Sequence, residues 1–268
     1  MGRRPLSLAR LDDDREALRA RLFLRAVLPL LEVVTREAPF YRRLMRGESG
    51  VVQFEVAGSS TGAYLTFASG ELLGVVPALH ARPTVKLGFP AMTAMNAFFA
   101  GRASLPRVSG LRRPLLLGKV LVLLSSLRVL TPGEGVADAD ARALRVKLLL
   151  RLIPHALSQL NQAGYPPMRA LTEGSPDRVY QWSVEERGLG AYLRMRDGRT
   201  RAGSGTYPHR APFVHYLFPT IESAFRVFTT QGSQVDAVRE GHIRTEGSPE
   251  YSRKLGQLMQ SIDEILMG

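Results

Sequence analysis

The strongest constraint on this chain is that it repeats itself. Val51-Val52-Gln53-Phe54 and Val179-Tyr180-Gln181-Trp182 stand 128 positions apart, and at the same offset Gly62-Ala63-Tyr64-Leu65 recurs as Gly190-Ala191-Tyr192-Leu193. Pro83-Thr84-Val85 through Phe89-Pro90 matches Pro212-Phe213-Val214 through Phe218-Pro219 at 129, and Ala17-Leu18-Arg19 matches Ala143-Leu144-Arg145 at 126. Matches kept in order, with offsets that drift only by small insertions, mark a tandem duplication. Each copy is about 125 residues, long enough to bury a core of its own, unlike a solenoid unit. The expected domains are 1–135 and 136–268, joined through the helix-breaking stretch Thr131-Pro132-Gly133-Glu134-Gly135.

Each copy reads as helix, hairpin, strand, helix, short strand and closing helix. The first helix is expected to start at Asp12-Asp13-Asp14, good N-terminal chemistry, and to run to Thr35 with a kink at Pro29. Its counterpart starts near Asp138 or Asp140, with Pro154 at the matching place. Ser69-Gly70 and Asp197-Gly198 are two-residue hairpin signals that demand positive φ. Val85, Leu87 and Phe89 alternate with polar or small residues and so share one sheet face. Met92, Met95, Asn96 and Phe99 then take helical spacing, as do Ile221, Ala224, Phe225 and Phe228. Short strands lead to Gly110 and Gly247, each followed by a closing helix. The second closing helix is amphipathic, with Leu255, Leu258, Met259 and Ile262 on one face. The first, Leu115 to Leu127, is apolar nearly all round, which requires burial on most sides, between the repeats or against lipid. The fold class is α+β: two homologous units, each a mostly antiparallel sheet covered by helices, with an apolar cavity or core between.

The Gly-Ala-Tyr-Leu strand, the glycine-turned hairpin and the Phe-Pro helix start are similar to those of the sterol carrier protein type 2 family. So is Glu240-Gly241-His242-Ile243-Arg244-Thr245-Glu246-Gly247-Ser248-Pro249-Glu250-Tyr251, where a short strand turns at glycine into the terminal helix. The resemblance covers roughly 50–130 and 178–268. It implies non-catalytic binding and carriage of a sterol, fatty acyl or terpenoid-like lipid in a tunnel between sheet and helices. Repeat one departs from the pattern at Gly101 to Pro106, where Ala-Ser-Leu-Pro replaces the longer helical stretch of Ser233 to Arg239.

Catalytic chemistry lacks a sequence anchor. Without cysteine there is no thiol nucleophile or thiolate-bound zinc. His80, His155, His209, His215 and His242 have no metal-ligand spacing, and no GxSxG, SxxK or dinucleotide-loop pattern stands in a fitting context. His215 reads as a surface or structural residue, because its counterpart is Lys86. Glu185-Glu186 and Asp263-Glu264 fall where solvated faces are expected. Tyr64 and Tyr192 read as packed tyrosines. The chain is therefore expected not to be an enzyme and to need no cofactor or metal.

A lipid pocket would be lined by bulky flexible residues: Met92, Met95, Phe98 and Phe99 in repeat one, and Phe213, Phe218, Ile221, Phe225, Phe228 and Met259 in repeat two. The same residues would equally fill a dry core, and periodicity does not separate the two. The filled-core alternative is a structural or interaction protein serving a lipid-related or biosynthetic complex. The net charge of +12 rests on 32 arginines and four lysines, dispersed along the chain. No recognition motif or aromatic-interleaved basic stripe accompanies them, so nucleic acid is not expected as a partner. Before Asp138 the chain has 19 basic against 10 acidic residues, and from there on 17 against 14. An anionic membrane is thus an expected partner of the first half, through Arg19, Arg21, Arg25, Arg42, Arg43, Arg112 and Arg113. No segment reads as a membrane span or leader, so the expected location is cytoplasmic, peripheral at a membrane.

Overall fold

The computed structural model describes residues 8–110, 113–130, 138–229 and 234–268. They form two units: the first is Met1–Ser125 together with Asp263–Gly268, the second is Ser126–Ile262. The division falls ten residues before the expected one, and the last six residues group with the first unit. The linker Thr131–Gly135 lies outside the described residues.

In the first unit, β1 (Gly50–Val56), β2 (Gly62–Ala68), β3 (Glu71–Val76), β4 (Val85–Phe89) and β5 (Arg107–Ser109) form a sheet in the order β3-β2-β1-β4-β5. In the second, β6 (Arg178–Val184), β7 (Leu189–Arg196), β8 (Arg199–Ser204), β9 (Val214–Phe218) and β10 (Arg244–Gly247) repeat that order as β8-β7-β6-β9-β10. The registers agree as well. Gln53 pairs with Tyr64 and Lys86, and Gln181 with Tyr192 and His215. In both sheets the β1–β4 and β6–β9 pairs are parallel and the others antiparallel. The hairpin turns have positive φ at both central residues, 51° and 89° at Ser69-Gly70 and 47° and 74° at Asp197-Gly198, as a type I′ turn requires. Gly110 and Gly247 also have positive φ, and a Cβ at either would run into the carbonyl of Thr84 or Phe213.

The inner sheet faces are apolar: Val52, Phe54, Leu65, Val85 and Leu87 in the first unit, Tyr180, Trp182, Leu193 and Tyr216 in the second, all buried. In the first unit α1 (Leu8–Leu22) begins before the expected position, so Asp12–Asp14 lie within the helix and not at its start. One π-helical turn (Phe23–Val27) and one 3₁₀ turn (Leu28–Leu30) carry the chain past Pro29 into α2 (Leu31–Glu37). The counterpart α6 (Ala139–Gln162) stays one helix through Pro154 and is capped by Asp138, whose carboxylate accepts the Ala141 N–H. Two short helices were not foreseen, α3 (Pro39–Met45) and α7 (Pro166–Thr172), each opened by proline. The remaining helices are α4 (Met92–Phe99), α5 (Pro114–Ser125), α8 (Ile221–Thr229), α9 (Gln234–Arg239) and α10 (Pro249–Met267).

The outer sheet faces carry a shared polar device. The buried Gln53 Oε1 accepts the His80 N–H at 2.6 Å, and the Tyr64 ring meets the His80 ring edge-on. Likewise Gln181 Oε1 accepts the Tyr207 N–H at 3.0 Å, its Nε2 donates to the Gly205 carbonyl at 3.1 Å, and Tyr192 meets Tyr207 edge-on. Replacing Gln181 by leucine leaves two backbone groups without partners and is expected to destabilise the protein by about 1–3 kcal/mol, read as a lowered urea midpoint at unchanged m-value.

Candidate functional site

A groove of about 630 Å³ lies in the second unit between α7 and α10, at the start of β6. Pro167, Ala170 and Leu171 come from α7, Pro176 from the following loop, and Leu258 from α10. Polar groups stand along the same walls: Arg178, Lys254, Gln257 and Ser261. Arg178 is held by stacking. Its guanidinium carbon sits 4.4 Å from the centroid of Phe213 and 4.1 Å from that of Tyr251, both within cation–π range. Lys254 pairs with Glu250 at 2.6 Å and lies 5.1 Å from the Tyr251 ring. The groove thus offers an apolar floor beside two cations, one fixed by aromatic faces.

Beneath it the inner layer is aromatic. The Tyr180 hydroxyl is buried beside Arg178, and burial pushes its pKa up to about 12. Trp182 stacks on Tyr216 at 5.6 Å, and the Tyr216 hydroxyl donates to the Ser252 carbonyl at 3.0 Å, joining β9 to α10. The Trp182 Nε1–H is buried with no acceptor among the described residues.

The residues expected to line a pocket mostly pack on one another. Met95, Phe218 and Ile221 are buried; Met92, Phe98, Phe99, Phe213, Phe225, Phe228 and Met259 are half-buried. Phe99 stacks on Phe23 at 5.6 Å and lies 5.3 Å from Phe54; Phe98 meets Phe89, and Phe218 meets Phe228. Phe225 lies under the Arg145 guanidinium. None of the ten lines the α7–α10 groove, although Phe213 holds its arginine. The groove escaped the sequence reading because α7 did. Its signal was Pro166-Pro167 after Gly164, a helix start too short to show a period.

A second, smaller pocket of about 330 Å³ lies on the outer face of the first sheet, around Gln53, Glu55, His80 and Lys86. Glu55 there pairs with Lys86 at 2.9 Å and accepts from Gln53 at 2.6 Å, so its polar groups are engaged with one another. At the matching place Ser183 bonds the His215 ring at 2.8 Å, and burial lowers the pKa of that histidine. Glu186, although exposed, accepts the Ile221 N–H at the start of α8, a structural role beyond solvation. No group of three or more metal-ligating side chains occurs among the described residues.

Among the basic residues expected to meet headgroups, Arg19 is buried: it pairs with Glu16 at 2.8 Å and its Nε donates to the Ile265 carbonyl. Arg21 is half-buried; Arg25, Arg42, Arg43 and Arg113 are exposed, and Arg112 lies outside the described residues. No described helix is long and apolar enough to cross a membrane.

No family model matches the sequence, and no curated protein matches it. Among solved structures the chain is similar to the stereoselective inverting sec-alkylsulfatase Pisa1 from Pseudomonas sp., at 16% identity over 56% of this chain and 28% of that one, with a TM-score of 0.25. A double mutant of the sec-alkyl sulfatase PisA1 gives 16% identity over 63% of this chain and 32% of that one, with a TM-score of 0.26. The chain spans about a third or less of the length of these structures.

Close to the groove, Asp177 is clamped by arginines. Its carboxylate takes two bonds from Arg194, at 2.6 and 2.7 Å, and one from Arg210 at 2.8 Å. The Arg194 bonds hold its pKa down at about 2. Because the folded value lies below that of a free aspartate, this clamp contributes stability that is complete above the ordinary carboxylate range and lost as pH falls towards 2. Asp177→Asn is therefore expected to flatten the fall in unfolding free energy between pH 5 and pH 2, measured by urea titration at each pH.

Proposed function

We propose that the chain binds and carries an apolar, lipid-type molecule without transforming it, and that the α7–α10 groove of the second unit is its seat. The observation that carries this reading is the groove itself. At about 630 Å³ it falls in the range of small-molecule sites, and it combines an apolar floor with a few fixed polar groups. Leu171, Leu258 and the prolines suit a hydrocarbon portion, whose burial contributes roughly 25 cal/mol per Å². Arg178, immobilised between Phe213 and Tyr251, suits the polar end. The resemblance to the sterol carrier protein type 2 family points to the same class of cargo.

The first unit supports a different role. Its 330 Å³ pocket lies on the outer sheet face, where Glu55 and Lys86 pair with each other. With no groove like that of the second unit described there, we take a structural or docking function for that half.

Ala170 is exposed on α7 and lines the groove, so Ala170→Trp fills it without disturbing the core. Lipid extraction and native mass spectrometry of the purified protein are expected to find a bound lipid. The tryptophan variant is expected to take up a fluorescent long-chain fatty acid at least tenfold more weakly at an unchanged melting temperature. Absence of both lipid and uptake would reject carriage; undiminished uptake by the variant would move the seat elsewhere.

A further inference from the structure

We propose that the paired helices α3 and α5 of the first unit form a docking face for an anionic lipid bilayer. The sequence asks for α5 to be covered on most sides, between the repeats or against lipid, and protein buries only one stripe of it. Leu116, Val120 and Leu123 are fully enclosed, spaced as one helical face. Lys119 pairs with Glu48 at 2.6 Å and Arg113 donates to the Ser49 carbonyl at 3.0 Å, pinning the helix to the loop that follows α3. The opposite side faces outward: Leu115 is 74%, Val122 42% and Leu121 39% exposed. Beside it α3 exposes Phe40 at 63%.

Charge decides what can cover this surface. Arg42 and Arg43 on α3 and Arg46 just after it are exposed, with no ion-pair partner among the described residues, and neither helix contains an acidic residue. A second copy of the chain laid on this face would bring arginines against arginines. Nucleic acid would answer the arginines and leave Leu115, Leu121 and Val122 without an apolar partner. A bilayer with anionic headgroups supplies both, with hydrocarbon for the apolar side chains and negative charge for the guanidinium groups. The α5 helix is 12 residues long, so it lies in the interface and does not span. Of the residues expected from sequence this face keeps Arg42 and Arg43, while Arg19 is held inside the first unit.

The test is co-sedimentation with vesicles of phosphatidylcholine alone and of phosphatidylcholine with phosphatidylserine. Binding is expected only to the anionic vesicles, and it is expected to fall steeply as salt rises. Each engaged arginine near such a surface is worth about a fivefold change in affinity, so Arg42→Gln, Arg43→Gln and Arg46→Gln together are expected to cost on the order of 100-fold. The matched control Arg199→Gln, Arg201→Gln and Arg226→Gln removes the same charge from exposed positions of the second unit and is expected to cost far less. Leu115→Ser with Val122→Ser is expected to weaken binding at every salt concentration. All these positions are exposed, and melting temperatures confirm that the variants fold. Equal losses in the two arginine triples, no effect of the serine pair, or no binding at low salt would each overturn the proposal. So would a concentration-dependent dimer in sedimentation velocity that the serine pair dissolves. The proposal does not rest on lipid carriage, because Ala170→Trp is expected to leave vesicle binding unchanged.

Discussion

Everything in each unit follows from one parallel strand pair at the centre of the sheet. With β1 and β4 side by side in parallel, the β2–β3 hairpin must build outward on the far edge, and the chain must then come back. Helices hold the inner face through contacts such as Phe99 on Phe54 and Phe23, so the return path runs over the outer one. There a buried glutamine waits at the middle of the central strand and takes hold of the returning backbone at His80 or Tyr207. A parallel connection of this kind needs a crossover, and a crossover without regular structure needs a tether.

The two units keep this frame and differ in what fills it. Val52, Phe54 and Leu87 on the inner face of the first become Tyr180, Trp182 and Tyr216 in the second, at offsets of 128 and 129. Three apolar positions thereby gain polar atoms: the Tyr216 hydroxyl bonds α10, and the Tyr180 hydroxyl and Trp182 Nε1 are buried without a hydrogen-bond partner among the described residues. On the outer face the Glu55–Lys86 ion pair becomes a Ser183–His215 hydrogen bond. Both members of the pair differ between the units, so each site keeps a complementary partner.

The sequence was legible wherever period and turn chemistry speak locally. Alternation placed Val85, Leu87 and Phe89 inside, and Ser69-Gly70 and Asp197-Gly198 announced their turns. The repeat made the second sheet readable from the first. What escaped depends on contacts distant in sequence. Seven-residue helices such as α3 and α7 have too few turns to show an amphipathic stripe, and the groove joins α7 to a helix some eighty residues later. The all-round apolar character of α5 asks for cover on most sides, but it does not show that the protein supplies that cover on one stripe only. The phenylalanines expected to line a pocket are buried or half-buried and pack on one another, a pairing that spacing along the chain does not show.

The glutamine tether also bears on how such a protein can change over time. Gln53 and Gln181 grip a main-chain N–H, not a side chain, and the residues presenting it, histidine in one unit and tyrosine in the other, share an aromatic ring set edge-on to the tyrosine of the neighbouring strand. The hydrogen bond itself excludes only proline at positions 80 and 207, while the edge-on contact with Tyr64 or Tyr192 keeps an aromatic ring there. Away from those two anchors the segments crossing the outer faces can accept new side chains while their course stays fixed, which makes them natural places for evolution, or an engineer, to write new surface chemistry onto an unchanged frame.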